Sequence, residues 1–223
     1  MGKPHEAIDS RLSPPGAREL KQERAVQTRE RILAAAGAAF AARGYPAVTI
    51  FDVAQRAGMT KGAVYFHYEN KDALALAVTQ VFYRRMAQIA RAVEELALPP
   101  VCSVAELLLR SAVALREETV IQAGARLQLE RRLIGVQLPV PFASYTELIS
   151  GWLAQEGADR TPPDASPPET LASVLVSAFF GAQHISWVLS DRDDLMERTH
   201  ALIRTIIPSA GPDIRLCPSA SPG

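Results

Sequence analysis

Apolar residues recur along this chain at three- and four-residue intervals rather than at every second position, the spacing of helices with one buried face. Ile32, Ala36, Ala39 and Phe40 define the first such face and predict a helix from about Ala25 to Arg43, stopped by Gly44. Ile50, Val53 and Ala54 mark a short second helix. Thr49 starts it, and Asp52 three positions on completes a variant of the capping box. Gly58 ends it, because glycine turns easily through positive φ. Thr60 then caps a helix from Lys61 to about Tyr68, and Asn70 caps the next. That fourth helix carries Leu74, Val78, Val81 and Phe82 on one stripe and Tyr83, Met86 and Ile89 on an adjoining one, with Arg84, Arg85 and Arg91 toward solvent. It runs to about Leu98, where Pro99-Pro100 stops it, and spans ~40 Å at ~1.5 Å per residue.

The same period continues to residue 207. Ser103 with Glu106 predicts a capped start for a helix to about Glu118. The segment Val120 to Val136 holds Gln122 and Gln128 within an apolar pattern. Pro139 and Pro141 break the chain before a helix from Phe142 to about Gln155, with Tyr145, Leu148, Ile149 and Trp152 inward. Gly157 to Pro168 reads as a loop. Ser166 with Glu169, and Pro167 at the first helical position, predict a helix to about Leu189. Its stripe is Val176, Phe180, Gln183 and Trp187, and Ala178, Gly181, Ala182 and Ile185 lie on the other side. A last helix carries Leu195, Met196, Leu202, Ile203 and Ile206 and ends at Pro208. With no strand pattern and no repeat, the expectation is an all-α fold of about nine helices. Residues 1–22 are expected to be a flexible arm, 23–71 a three-helix head, 72–207 a helical body, and 208–223 a disordered tail.

Composition narrows the class. The 223 residues are 48% hydrophobic, with no apolar run near the ~20 residues that span a bilayer and no apolar core in the first twenty. Cys102 and Cys217 make neither a disulfide framework nor a metal site, so reduced thiols and a cytoplasmic location are expected. His5, His67, His184 and His200 are scattered, and no H-E-x-x-H, P-loop or nucleophile elbow occurs. Neither an enzyme nor a metal or cofactor is expected. The net charge is zero but uneven: residues 1–71 hold 11 Lys+Arg against 7 Asp+Glu, and the rest 13 against 17. A basic head on an acidic body suits a protein that meets phosphate through one end.

The second and third helices, joined by a glycine turn, form a helix-turn-helix. The third begins Lys61-Gly62-Ala63, one long cation and two small residues that allow close approach to a groove. Tyr65 and His67 are expected to offer polar tips to phosphates, and Phe66 to be core. The free amides at Thr49 and Asn70 also suit phosphate oxygens.

Gly44-Tyr45, Thr49, Val53-Ala54, Ala57-Gly58, the run Thr60 to Tyr68, and Lys71 resemble the tetracycline-repressor (TetR) family of bacterial regulators over roughly Ala25 to Tyr83. The resemblance implies DNA contacts from Thr49, Thr60, Lys61, Gly62, Ala63, Tyr65, His67 and Lys71. It implies a body that binds a ligand and pairs two subunits through its last two helices, on double-stranded operator DNA. Val174, Leu175, Ala178, Ala182, Ile185, Leu195, Leu202 and Ile206 are the interface candidates. Polar and aromatic groups on core-facing stripes, Tyr83, Gln128, Phe142, Tyr145, Phe180, Gln183 and Trp187, are the ligand candidates. The runs Gln122–Leu127, Pro139–Phe142 and Phe179–Ser186 are similar to the γ-butyrolactone and furan autoregulator receptors, repressors of antibiotic-production genes. Tyr145 stands where that subfamily commonly has a Trp, which favours a signal more polar than a plain butyrolactone, such as a furan carboxylate or butenolide, that could use the phenol of Tyr83 or Tyr145 and the amide of Gln128. A multidrug-sensing repressor, a pseudo-receptor answering to an antibiotic, and a helical enzyme acting on a lactone are the alternatives.

Overall fold

The structure, a computed structural model, describes residues 15–140, 142–155 and 166–207. The arm before residue 15, the loop at 156–165 and the tail from 208 lie outside the described residues, as does Cys217. Among the described residues there are nine α-helices and no strand: α1 Pro15–Ala47, α2 Ile50–Ala57, α3 Lys61–His67, α4 Lys71–Glu94, α5 Pro100–Glu117, α6 Thr119–Leu129, α7 Ala143–Ala154, α8 Pro168–Ser190 and α9 Leu195–Ile206.

Several ends differ from the sequence expectation. Helix α1 already begins at Pro15, inside the expected arm, and bends at Gly44, which is non-helical at φ 76 and ψ 172. Helix α4 ends at Glu94, and Ala97 turns the chain with φ 48 before the proline pair. Helix α5 starts at Pro100, so Ser103 is not its cap but a buried residue of its first turn. Proline at the first helical position fixes φ and needs no donor, which sets the start there. The same logic moves the start of α8 to Pro168, without a side-chain bond from Ser166. Arg85, expected in solvent, makes a forked pair with Glu118, its Nε and Nη2 at 2.7–3.0 Å from the carboxylate. Cys102 is disulfide-bonded rather than a reduced thiol. Helix α8, with 23 residues and a window of mean hydropathy 1.4, is long and apolar enough to cross a membrane by composition.

Two apolar clusters build the interior. The first joins α1 to α4, through Ile32, Phe40, Val53, Val64 and Leu74, but also takes in Ala123, Leu127, Ile134 and Leu138. The head's core therefore continues past residue 71 into α6 and the turn after it. The second cluster fills the body between α4, α5, α7, α8 and α9, around Leu107, Leu108, Ile149, Phe179 and Ile203. Leu175 and Leu195, expected at a subunit interface, are fully buried in it, and Leu202 is 9% exposed. Their stripe is the one that closes the chain's own core. Val174 and Ile185 are instead half exposed, and Val188 and Leu189 continue their apolar face at 64% and 71%. Ala178, Ala182 and Ile206 are partly exposed beside it.

Candidate functional site

The helix-turn-helix is held by its own side chains. Thr49 Oγ1 accepts from the Asp52 amide at 3.2 Å, while the Asp52 carboxylate accepts from the Thr49 amide at 2.7 Å. The Thr49 hydroxyl also donates to that carboxylate at 2.6 Å, and this bond first, then the Thr49 amide and Arg43 at 3.0 Å, hold the Asp52 carboxyl down at about 2. Gly58 turns the chain at φ 65, and its amide bonds back to the carbonyls of Ala54 and Gln55. Thr60 Oγ1 accepts from the Ala63 amide at 3.2 Å, and Asn70 Oδ1 from Ala73 at 2.8 Å.

Helix α3 turns Val64 and Tyr68 inward, one turn apart, and Phe66 outward. Phe66, expected in the core, is 84% exposed, because a position two from each buried residue lies on the opposite side of the helix. Tyr65 is exposed beside it, His67 is partly exposed with its ring edge-on to Phe66, and Thr49, Thr60, Lys61 and Gly62 are exposed. Ala63 is partly exposed. The outer face of α3 thus carries a cation, two aromatic rings and an imidazole. Lys71 sits apart from it: its Nζ donates to the Tyr45 carbonyl at 3.1 Å and lies 4.1 Å from the Tyr45 ring centroid.

Tyr45 is the joint between head and body. Its amide donates to Glu130 at 2.6 Å, its hydroxyl donates to Asp72, and Asp72 also accepts from the Gly135 amide at 3.2 Å. Burial first, then Asp72, pushes the Tyr45 phenol up to about 12. Arg126 holds Glu130 at 3.0 Å and donates to the Ala41 carbonyl at 2.9 Å. Its guanidinium also lies over the Trp187 ring, and Arg192 approaches that ring as well.

In the body, α4, α7 and α8 enclose a cavity of about 420 Å³ lined by Phe82, Tyr83, Met86, Ala87, Ala90, Glu94, Phe142, Ser144, Tyr145, Leu148 and Phe180. Four ligand candidates converge here: Tyr83, Phe142, Tyr145 and Phe180. Gln128, Gln183 and Trp187 do not line it. Trp187 is occupied by the two arginines, and the Gln128 amide is buried on α6 with neither its Nε2 nor its Oε1 bonded. The Tyr145 hydroxyl is satisfied within the protein, 2.9 Å from Ser111 Oγ and 3.4 Å from Met86 Sδ. The Tyr83 hydroxyl has no partner, and burial raises that phenol to about 12 despite the nearby charge of Arg131. Met86, Ala87, Ala90 and Glu94 were not read from the sequence as lining, although they follow Tyr83 at helical spacing on α4.

Residues 32–78 match the family described as bacterial regulatory proteins, tetR family. The A-factor receptor protein of Streptomyces griseus is 33% identical over 85% of this chain, which spans 66% of that relative's length. A solved structure described as the molecular basis for control of antibiotic production by bacterial hormones is 42% identical, with a TM-score of 0.72 over 81% of this chain and 96% of its own. The TetR regulator TylP of Streptomyces fradiae is 30% identical, with a TM-score of 0.59 over 85% of this chain and 81% of its own. Matched in its helix-turn-helix and along most of its length, the chain belongs to the TetR family of bacterial regulatory proteins.

Proposed function

We propose that this protein is a transcriptional repressor that binds a palindromic operator as a dimer and leaves it when a small signalling molecule fills the α4–α7–α8 cavity. The molecule is of γ-butyrolactone, butenolide or furan type, and the genes controlled are those of antibiotic or other secondary-metabolite production. The protein is a regulator of cytoplasmic DNA rather than an enzyme. The observation that carries the reading is the buried, partnerless hydroxyl of Tyr83, a residue that lines a cavity apolar apart from Glu94, Ser144 and Tyr145. A buried polar group in that position is satisfied by a ligand with one hydrogen-bonding end and an apolar body.

Tyr83 lies on the helix whose N-terminus is fastened to the head beside Tyr45. Phe82 next to it presses on Gly124 of α6, where an added Cβ would run into the Phe82 side chain. A ligand that tilts α4 therefore also moves α6 and the Tyr45 joint, and with them the spacing of the two recognition helices. It releases DNA to the extent that it binds the tilted state more tightly. In a dimer α3 is presented twice, with Thr60, Lys61, Gly62, Ala63, Tyr65 and His67 toward the groove and Thr49 toward the backbone. The exposed stripe Val174, Ala178, Ile185, Val188 and Leu189 is the surface the second subunit covers.

A gel shift on the protein's own upstream DNA tests this, with synthetic butyrolactones, butenolides and furans added for release. Lys61→Ala is expected to weaken operator binding at least about tenfold and to lower the salt slope by about 2 per dimer. Binding of the ligand stays unchanged in that variant. Equal operator affinity for Lys61→Ala, or no release by any of the three chemical types, overturns the reading.

A further inference from the structure

Three elements meet at one indole ring. Trp187 stands in the last turn of α8, and the guanidinium of Arg126 on α6 lies over its ring, 5.1 Å from the centroid. Arg192, in the turn to α9, lies over the same ring at 5.2 Å, and His184 meets it edge-on at 5.8 Å. Arg126 also grips the end of α1. Its Nη1 donates to the Ala41 carbonyl at 2.9 Å, and its Nε holds Glu130 at 3.0 Å, whose carboxylate accepts from the Tyr45 amide at 2.6 Å. Gly44 lies against that pair, since an added Cβ there would run into Glu130 Oε1 and Arg126 Nη2. The chain leaving this grip is the one that enters α2 and α3. Along α8, Val188 and Leu189 follow Trp187 directly, on the exposed stripe assigned above to the second subunit. A path from that stripe to the head thus runs through one indole and one guanidinium.

The second cation works against the first. Arg192 is 4% exposed and lies in the left-handed region at φ 76, where a residue other than glycine is strained. Its Nε has no partner, and the Asp191 carboxylate, 3.3 Å from its Nη1, stands largely in water. Burial first pushes the Arg192 guanidinium down, Asp191 opposes that, and the charge of Arg126 adds to it. A partly buried cation on an indole is worth roughly tenfold in an equilibrium constant. Like charges on one ring repel, so Arg192 takes away part of what seats Arg126.

We propose that Trp187 is a positioning residue for DNA reading: fixed on the helix that meets the second subunit, its ring seats Arg126, and Arg126 sets the angle of the head, so that the dimer accepts one spacing between half-sites. Arg192 keeps that seat weak enough to be given up. The inference rests on the reading above that the chain binds a palindrome as a dimer, and it adds what holds the two heads at a fixed distance. Trp187 touches no DNA in this account. Its loss frees the heads to swing while each recognition helix, built by its own caps and core, reads a half-site as before.

The test uses the full-length protein without ligand and three duplexes: the operator from its own upstream DNA, the same operator with one base pair inserted between its half-sites, and a single half-site. The insertion turns one half-site by ~35° and moves it ~3.4 Å. Wild type is expected to lose about a hundredfold in affinity on the inserted duplex. Trp187→Ala is expected to bind the operator about tenfold more weakly than wild type, to lose no more than about tenfold on insertion, and to bind the single half-site within about twofold of wild type. Trp187→Phe, which keeps a ring face under the cations, restores most of the spacing preference. Arg126→Lys, on α6, keeps the charge beside Glu130 but not the planar group over the indole, and it repeats the relaxed spacing if sedimentation finds that Trp187→Ala has altered the dimer. Arg192→Met removes the competing charge and steepens the penalty of insertion by at least about threefold. A full wild-type penalty in both Trp187→Ala and Arg126→Lys overturns the proposal, as does a single half-site affinity that falls as far as that of the whole operator, or a relaxed spacing in Arg192→Met. A wild type that binds both spacings equally overturns it too and leaves the repressor reading standing, whereas a wild type that binds none of the three duplexes overturns that reading as well.

Discussion

The head and the body start their helices in different ways. Helices α2, α3 and α4 each begin on a side chain, Thr49, Thr60 or Asn70, that accepts from the backbone three residues on. Helices α5 to α9 begin without any such bond, and α5 and α8 begin on prolines. The buried polar atoms divide the same way. Among the described residues, those without a partner are Thr79 Oγ1, Tyr83 OH, both amide atoms of Gln128 and Arg192 Nε, all beyond residue 71. The head completes its own hydrogen bonds, as suits a rigid reader of DNA. The body leaves several open between α4, α6 and the α8–α9 turn, as suits an element that two states or a ligand must share.

The sharpest way to break this contrast is to lock the body. Gly124→Ala drives a methyl into Phe82 where α4 and α6 cross, and overpacking there is expected to cost about 3 kcal/mol. A urea titration reads it. The counterpart in the head is Gly58→Ala, where the nearest atom, Arg31 Nη2, is 3.7 Å away and the cost, about 1 kcal/mol, comes from φ 65 alone. Equal losses at the two glycines would mean that α4 and α6 yield as readily as an open turn. Next in size is Gln128→Leu. Removing an amide that is buried without partners is expected to stabilise the fold by about 2 kcal/mol, keep operator binding and blunt ligand release. A thermal melt with a gel shift decides it, and a destabilised variant would mean that the amide is satisfied in solution.

What the sequence made legible follows the same division. Thr49 with Asp52, Gly44, Gly58, Thr60 and Asn70 act on neighbours within a few residues, so their roles could be read from spacing alone. Ser103 with Glu106 has the same letters as a capping box, but Pro100 starts the helix earlier, and Glu106 pairs with Arg110 at 2.6 Å instead. Phe66 was misassigned because seven residues are too few for a period to fix which side of α3 is inward. That side is decided by where Val64 and Tyr68 meet α1, α2 and α4. The cavity was half legible. Tyr83, Phe142, Tyr145 and Phe180 stood out as aromatic groups on inward stripes, and so did Gln128, Gln183 and Trp187. Nothing local distinguishes a stripe that faces a space from one that faces another side chain. The head's reach into Ala123, Leu127, Ile134 and Leu138 was hidden for the same reason.

The phenols offer a finer probe of the body. Burial pushes Tyr83 and Tyr145 up to about 12. A phenol whose pKa is higher folded than unfolded supports the fold only while protonated. Its contribution is complete below about 10 and lost as pH rises from 10 through 12. Unfolding free energy is therefore expected to fall across that interval, and Tyr83→Phe to reduce the fall by about 1 kcal/mol once solvent screening is allowed for. At pH 7 the same substitution is near neutral, because the Tyr83 hydroxyl has no partner to lose. Tyr145→Phe costs about 1 kcal/mol there, since Ser111 Oγ, 2.9 Å away, loses one of two partners and keeps only the Leu107 carbonyl. Urea titrations at pH 7, 9 and 11 separate the two, and a fall that Tyr83→Phe leaves untouched would place the titrating group elsewhere.

The smallest effects test the contrast at its origin, with two hydroxyls that occupy the same position in the same letter pattern. Thr49→Ala removes a bond that the Asp52 amide makes and the partner of the Asp52 carboxylate, and it is expected to cost about 1 kcal/mol. It also changes the acid response. Asp52 is held at about 2 chiefly by Thr49, so its contribution is present above 3.8 and lost as pH falls toward 2. The variant should show a shallower loss over that range. Ser103→Ala removes only a 3.3 Å bond to the Leu98 carbonyl in a turn that Pro100 already fixes, and it should stay within about 0.5 kcal/mol with no acid signature. If the two substitutions proved equal in urea at pH 7 and again at pH 3, side-chain caps would not be what separates the head from the body.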